Sequence, residues 1–370
     1  MKIINSLLIF SILLSFLFTI YQGRLNYQFK FEPEKYRSLY ERSQFAPDSG
    51  KRTTYISDWD LYAYAGLLYI HGVDPSSINF EHPPLAKYII GLSSLFLGNP
   101  NMFQILAGIA FLLSFFVLAN LFLKNITISL LLVLLLSIEG LFKQQIQFSL
   151  LDIWQTLFLN IGLIALSKLK SNKNWWILMI ISIVGIAASK FFITGILFAL
   201  FVLLDLLFQK DSANIKKYLF YTPIILFLFI IIYLPYFQNH TFIDFINLEY
   251  RTIKFFKSYV PEYPWGEVWR MLLNGDWQTW WGNKGIIKTE YFNPLWPILE
   301  FNFLATVIFS FNKAIKNLSL PFLWSIIYLT FTSVHLLFPH YLLLALPSLY
   351  ILLGWNIERG IIYAHRHRWI

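Results

Sequence analysis

The chain has 370 residues, of which 57% are hydrophobic and 19% aromatic, and its mean hydropathy is +0.57. This composition excludes an ordinary soluble domain and indicates an all-α polytopic membrane protein. A net charge of +9 would suggest a nucleic-acid partner for a soluble chain, but membrane topology explains most of these charges here, so we predict none. The absence of cysteine excludes disulfides, thiolate zinc sites and cysteine nucleophiles.

Ten apolar segments are predicted to cross the membrane. They are residues 3–22, 101–123, 126–142, 150–167, 175–189, 191–208, 218–235, 297–312, 319–338 and 340–356. Residues 3–22 resemble a secretory signal, but their apolar core is long and no small-residue cleavage site follows it. We therefore predict that they are an uncleaved first span.

Residues 84–98 form a shorter apolar segment between Pro83-Pro84 and Gly98-Asn99-Pro100. If this segment lies in the interface without crossing, and the N-terminus is cytoplasmic, most lysines and arginines of the short loops fall inside. If it crosses, nearly all of them move outside, against the positive-inside bias. We therefore predict ten spans with both termini in the cytoplasm, in a multi-pass protein of a prokaryotic cell membrane.

Two long regions of this single membrane-embedded domain, residues 1–370, then face outward. The first, residues 23–100, carries a predicted helix from Asp58 to Ile70 with Ser57 as its N-cap. The second, residues 236–296, is rich in tryptophan and is expected to lie on the membrane surface. Its tryptophans are Trp265, Trp269, Trp277, Trp280 and Trp281.

The same topology brings unusual polar residues to the outer face. Ionisable groups near a bilayer are costly, so their concentration predicts a functional site. The candidate site residues are Asp58, Asp60, Glu81, His82, Lys87, Lys143, Gln147, Asp152, Lys190, His340 and Tyr341, and Glu139, Gln144, Gln145 and His335 share this face.

Structural roles compete with these functional ones. Lys143 and Lys190 are also the kind of residue that snorkels at helix ends, and Asp152 suits a helix N-terminus. His335 and His340 fit interfacial hydrogen bonding better than a ligand role.

Asp58-Trp59-Asp60 is a D-x-D pair, which can hold a divalent metal through hard oxygen ligands. On a regular helix, side chains at i and i+2 diverge, which argues against one shared ion. Metal dependence stays open at this stage.

Several of these motifs occur in the same order in a known family. The chain resembles the protein O-mannosyltransferase branch of the GT-C superfamily, which has an acidic motif in the first outer loop followed by His-Pro-Pro-Leu-Gly-Lys. The matching residues are Asp58 and His82-Pro83-Pro84-Leu85-Ala86-Lys87, then Leu150-Leu151-Asp152, Ala188-Ser189-Lys190-Phe191, Pro264-Trp265-Gly266-Glu267-Val268-Trp269 and His340-Tyr341.

Three features depart from that family. Trp59 stands where the family has a second acid, and Gln147 replaces an arginine that contacts the donor phosphate, with Lys143 as a substitute. The 236–296 loop has no large inserted sugar-recognition domain. Bacterial lipid A aminoarabinose transferases share the same architecture.

The resemblance implies a transferase acting on the outer membrane face, with a polyprenyl- or dolichyl-phosphate sugar as donor. It would move mannose or a similar hexose to a hydroxyl of a protein, lipid or glycan, as in protein glycosylation. Asp58 would act as the base of an inverting displacement, and Lys190, Lys143 and His82 or His340 would stabilise the leaving phosphate.

The competing interpretation is a lipid or sugar transporter or flippase without covalent chemistry. It predicts polar residues spread through the membrane depth or broken helices near the midplane. The mid-span positions are almost wholly apolar, which favours the transferase. The sugar, the acceptor and the existence of a dimer are left open.

Overall fold

The computed structural model describes residues 2–45, 53–169, 174–258, 265–279, 285–334 and 337–366. It is an all-α polytopic membrane fold, as the composition predicts. Its helices are α1 (Lys2–Gln22), α2 (Arg24–Gln28), α3 (Pro33–Glu41), α4 (Asp58–Ile70), α5 (Pro75–Ile78), α6 (Leu85–Leu97), α7 (Met102–Phe122), α8 (Ile126–Ser137), α9 (Gly140–Gln147), α10 (Asp152–Lys168), α11 (Trp175–Ser189), α12 (Phe192–Phe208), α13 (Ser212–Ile231), α14 (Phe242–Ser258), α15 (Glu267–Asn274), α16 (Leu295–Thr332) and α17 (Leu346–Arg366). Short 3-10 helices occupy Tyr236–Gln238 and Pro339–Leu344.

Four of the described helices are long and apolar enough to cross a membrane. They are α1, α7, α13 and α16, and the bent pair of α8 and α9 meets the same test when taken together. Helix α6 has 13 residues, which is about 20 Å at 1.5 Å per residue, shorter than the ~30 Å hydrocarbon layer. The non-crossing position and the total of ten spans stay predictions.

The third predicted span, residues 126–142, is not one straight helix. Helix α8 ends at Ser137, and α9 turns away from it by 62°. Glu139 lies in the bend, where its buried carboxylate accepts hydrogen bonds from Trp296 Nε1 at 3.2 Å and from the Tyr350 hydroxyl. We attribute the bend to these hydrogen bonds between distant helices, which local apolar sequence does not reveal.

Helix α16 covers the predicted span 297–312 and most of the predicted span 319–338, ending at Thr332, and it reverses direction between them. Its backbone leaves helical geometry at Leu318. Phe303 and Phe322 are 19 positions apart, which is about 28 Å along a straight helix, yet their ring centroids lie 6.4 Å apart. The two halves therefore pack side by side, as two spans would.

Helices α4 and α6 meet backbone to backbone. A Cβ built on Gly91 would lie 2.1 Å from the Gly66 carbonyl oxygen, and one built on Gly66 would lie 2.3 Å from the Lys87 carbonyl oxygen. Only glycine permits this approach, which fixes the helix that begins with Asp58 against the one that follows His82-Pro83-Pro84.

The region 236–296 contains two short strands that the sequence did not indicate. Strands β1 (Asp276–Gln278) and β2 (Ile286–Lys288) form an antiparallel pair in which Trp277 lies opposite Ile287. Buried side chains of α15, Val268, Met271 and Leu272, belong to the same hydrophobic core as the long helices.

Candidate active site

A polar pocket with an open space of about 470 Å³ lies between the region 23–100 and the ends of several long helices. Its charged or polar lining side chains are Asp58, Tyr62, Glu81, His82, Lys190, His340 and Tyr341, and its apolar ones are Phe45, Phe255, Phe256 and Phe338. Acids, histidines and a lysine from four separate parts of the chain thus converge on one space.

The N-terminus of α4 gives Asp58 and Asp60 different surroundings. The Ser57 hydroxyl donates to Asp60 Oδ2 at 2.6 Å and accepts from the Asp60 backbone N–H at 3.3 Å, so Ser57 caps the helix N-terminus. Lys35 and Tyr36 also interact with Asp60. Asp58, at the first helical position, is left to line the pocket.

Lys87 holds the loop that carries Glu81 and His82. Its fully buried ammonium donates to the backbone carbonyls of Asn79 at 2.8 Å and His82 at 2.6 Å. Lys87 therefore positions the loop from behind and does not line the pocket itself.

Lys190 reaches the pocket from the turn between α11 and α12. Its ammonium donates to both oxygens of Asp152, at 2.7 and 2.9 Å, and both side chains are almost fully buried. Gln145 Nε2 donates to Asp152 Oδ2 at 3.3 Å. Gln155 Nε2 ties the turn by donating to the Ile186 carbonyl at 2.9 Å. Asp152 thus lies behind Lys190 and anchors it.

His340 and Tyr341 come from the short 3-10 helix before α17. The Lys190 ammonium lies 4.7 Å from the centroid of the Tyr341 ring, which gives a cation–π contact. Tyr328 fixes this segment by donating its hydroxyl to the Tyr341 carbonyl at 3.0 Å.

An apolar pocket, whose open space of about 760 Å³ includes volume continuous with solvent, adjoins the polar one. Phe256 and Tyr341 line both spaces. Among the described residues that line the apolar pocket, Lys257 alone is charged. The arrangement matches a molecule with a polar head and a long apolar tail.

Burial and neighbouring charges shift the pKa values of three pocket residues, Asp58, Glu81 and His82. Desolvation raises the pKa of Asp58, while the Lys190 ammonium opposes that rise. Desolvation and the nearby Asp58 raise the pKa of Glu81 to about 7. Burial, with the Lys190 and Lys87 ammonium groups, lowers the pKa of His82, so its imidazole is neutral at neutral pH.

The structure brings together six of the predicted site residues around the pocket, Asp58, Glu81, His82, Lys190, His340 and Tyr341, with Asp152 directly behind them. Asp60, Lys87, Lys143 and Gln147 do not line it. Gln147 Nε2 instead donates to the Thr19 carbonyl at 3.0 Å, and Lys143 interacts with Glu139. His335, Trp280 and Trp281 lie outside the described residues.

Sequence reasoning missed several residues of the lining. Tyr62 was detectable, because it follows Asp58 by four positions and so shares its helix face. Gln145 was recognised as polar but not as a partner of Asp152. Phe256 gave no signal, because its role depends on where α14 folds over the pocket.

Asp58 and Asp60 do not point to one ion-binding position, because the Asp60 carboxylate accepts a hydrogen bond from the Ser57 hydroxyl whereas Asp58 lines the pocket. Across the described ranges, no cluster of three or more histidine, aspartate or glutamate side chains has the geometry to hold a metal ion.

The fold and the pocket together define an all-α membrane protein with a polar cavity near the ends of its long helices. The structure is similar to that of ArnT from Cupriavidus metallidurans bound to undecaprenyl phosphate, with a TM-score of 0.55 and 16% sequence identity. The match covers 93% of this chain and 60% of that protein, so this chain spans about three fifths of its length.

The structure of the same protein in the apo state gives a TM-score of 0.49 at 15% identity, over 93% of this chain and 59% of the other. No protein family matches the sequence, and no curated protein matches it significantly.

Proposed function

We propose that this chain is a glycosyltransferase that moves a sugar from a polyprenyl-phosphate carrier to an acceptor hydroxyl. The observation that supports this proposal most directly is that the polar and the apolar pocket adjoin, with Phe256 and Tyr341 lining both. A polyprenyl-phosphate sugar has one charged, hydrophilic end and one long apolar chain, so it fits both spaces at once. The fold shared with a structure that holds undecaprenyl phosphate supports the same donor class.

In this proposal, Lys190 binds the phosphate. Its ammonium is held by Asp152 beside the pocket, in surroundings poor in water, where a fixed positive charge acts strongly on a developing phosphate charge. His340, which lines the same pocket, contributes to this phosphate-binding side. Lys143, which does not line the pocket, is not needed for this role.

Asp58 acts as the general base. The acceptor hydroxyl attacks the anomeric carbon while Asp58 takes the hydroxyl proton, and the bond between that carbon and the phosphate oxygen breaks. The electron pair stays on the polyprenyl phosphate, and the configuration at the anomeric carbon is inverted. A base in this position contributes about 10²–10⁴-fold to the rate. The raised pKa of Asp58 brings it closer to the working pH.

The family resemblance extends the proposal to mannose or a similar hexose as the sugar, and to the outer face of a prokaryotic cell membrane as the place of reaction. It also favours a hydroxyl of a protein, a lipid or a glycan as the acceptor. The charge distribution of the short loops supports the outward position of the pocket.

The test is to follow the sugar. Purified protein is incubated with radiolabelled polyprenyl-phosphate hexoses and a membrane extract, and lipid, glycan and protein fractions are separated. We expect label to leave the donor lipid and to appear on an acceptor with inverted configuration. Label that stays on the unchanged donor for every sugar would reject the transferase and favour a transporter or flippase.

A further inference from the structure

Helix α14 packs against the end of a helix that is long and apolar enough to cross the membrane, α13. The ring centroid of Phe245 in α14 lies 6.3 Å from that of Phe229, in the last turn of α13, and 5.0 Å from that of Tyr233, just beyond it. Leu248 belongs to the same hydrophobic cluster. Helix α14 therefore lies at the level where this span leaves the apolar layer of the membrane.

The other face of α14 exposes large apolar side chains. Phe242, Ile243, Ile246 and Tyr250 are between 54% and 70% exposed. Their spacing places them along one stripe of the helix. Exposing such a stripe to water is unfavourable, and a patch of this kind marks a surface that something else covers. At the end of a membrane span, the adjoining bilayer surface is in reach to cover it.

The same stripe becomes basic towards the end of α14. Lys254 follows Tyr250 by four positions and Lys257 by seven, and both lysines are exposed. No acidic residue of α14 is three or four positions from either lysine, so none neutralises them within the helix. Within the described ranges, neither lysine forms an ion pair with another side chain. The stripe is thus apolar at one end and positively charged at the other.

We propose that this stripe binds the headgroup layer of a bilayer that contains anionic phospholipid. The apolar end enters the boundary between headgroups and acyl chains, and the two lysines reach the lipid phosphates. Charge complementarity favours anionic over zwitterionic lipid, because a basic residue near an anionic leaflet is attracted to it. Lys257 also lines the apolar pocket, so the anionic lipids drawn to the stripe gather beside that pocket. The inference does not depend on the transferase activity.

The first experiment asks whether the stripe meets lipid. The chain has no cysteine, so Ile246→Cys and Tyr250→Cys each carry a single fluorescent label. The full-length protein is placed in nanodiscs of phosphatidylcholine and phosphatidylglycerol in equal parts. We expect brominated lipid to quench both labels and iodide in the water to quench neither. Quenching by iodide alone would place the stripe in water. Protection from both quenchers would mean that protein covers it, and either result would overturn the inference.

The second experiment asks which lipid meets the basic end. Nanodiscs of the same mixture carry bromine on either the phosphatidylglycerol or the phosphatidylcholine. Beside the label at Tyr250→Cys, we expect phosphatidylglycerol to be enriched by up to about 5-fold for each lysine. A label at Phe242→Cys, more than three turns before Lys254, is the matched control and should show little preference. High salt should weaken the enrichment at Tyr250→Cys.

Replacing the charges tests the lysines directly. In the Tyr250→Cys background, Lys254→Gln with Lys257→Gln should remove the preference for phosphatidylglycerol while the label stays in contact with lipid. Equal quenching by the two brominated lipids in the parent protein would reject anionic lipid as the occupant. A preference that survives loss of both lysines would reject their role. None of these measurements uses a sugar donor, so their outcome is independent of whether the protein transfers sugar.

Discussion

The Lys190 ammonium lies 2.7 and 2.9 Å from the two carboxylate oxygens of Asp152, and neither side chain has appreciable contact with solvent. Asp152 begins α10, whereas Lys190 lies in the turn between α11 and α12. The pair thus joins two distant parts of the chain and holds one ammonium group at the wall of the pocket.

Removing one partner of this pair leaves a buried charge unpaired, which typically costs about 3–5 kcal/mol. We expect Lys190→Met to lower the free energy of unfolding by that order and to abolish transfer. The double variant Lys190→Met, Asp152→Leu should recover most of the stability but none of the activity.

Unfolding in detergent and sugar transfer are measured side by side for this pair. The exposed Arg37–Glu41 pair, 2.9 Å apart, is the matched control, and Arg37→Met should change neither quantity. A double variant that transfers sugar normally would show that Lys190 has only a structural role.

The raised pKa of Glu81 predicts that the stability of the folded protein depends on pH. Its pKa is about 7 in the folded protein and 4.5 for an unperturbed side chain. Between these values the folded state binds a proton that the unfolded state does not, so the free energy of unfolding falls as the pH rises from 4.5 to 7. The stabilisation that comes from protonated Glu81 is therefore fully present below pH 4.5 and is lost as the pH rises to 7.

Glu81→Gln removes this titration, and we expect its unfolding midpoint to fall less over pH 4.5–7 than that of the wild type. Thermal unfolding in detergent at several pH values measures the difference. Glu34→Gln, at an exposed position of α3, is the control and should follow the wild type. Parallel curves for Glu81→Gln and wild type would contradict the raised pKa of Glu81.

The contact of α4 with α6 predicts a sharp effect of one methyl group. Gly91→Ala places a Cβ 2.1 Å from the Gly66 carbonyl oxygen, so the helices must separate. We expect a lower unfolding temperature and reduced transfer, because Asp58 and His82 are positioned by these two helices. Gly360→Ala in α17, where a Cβ meets nothing within 4 Å, should behave as the wild type or slightly better. An unaffected Gly91→Ala protein would refute the backbone contact.

The absence of cysteine makes the membrane orientation testable in the natural sequence background. Ser77 and Ser212 are both exposed and lie on opposite sides of the predicted membrane. We expect Ser77→Cys to react with a membrane-impermeant maleimide in intact cells, and Ser212→Cys to react only after lysis. The reverse pattern would place the pocket on the cytoplasmic side.

Sequence patterns predicted the helix Asp58–Ile70 and its Ser57 cap correctly, because capping depends on residues a few positions apart. Composition and the apolar segments of spanning length also predicted the all-α polytopic fold correctly. The bend at Glu139 was missed, since it depends on Trp296 and Tyr350, more than 150 positions away. Lys87 was placed among the substrate contacts, but its ammonium is bound to backbone carbonyls, which only the folded loop reveals.

Asp58 and Asp60 provide the most direct test of the proposed chemistry. They are two positions apart, but Asp58 lines the pocket and Asp60 is bound to Ser57. The measurement is the initial rate of label transfer from a polyprenyl-phosphate sugar for Asp58→Asn and Asp60→Asn. We predict that Asp58→Asn lowers the rate by about 10²–10⁴-fold without loss of stability. Asp60→Asn should retain most of the rate and lose at most about 0.5–2 kcal/mol of stability from the helix cap. Near wild-type transfer by Asp58→Asn would contradict the account.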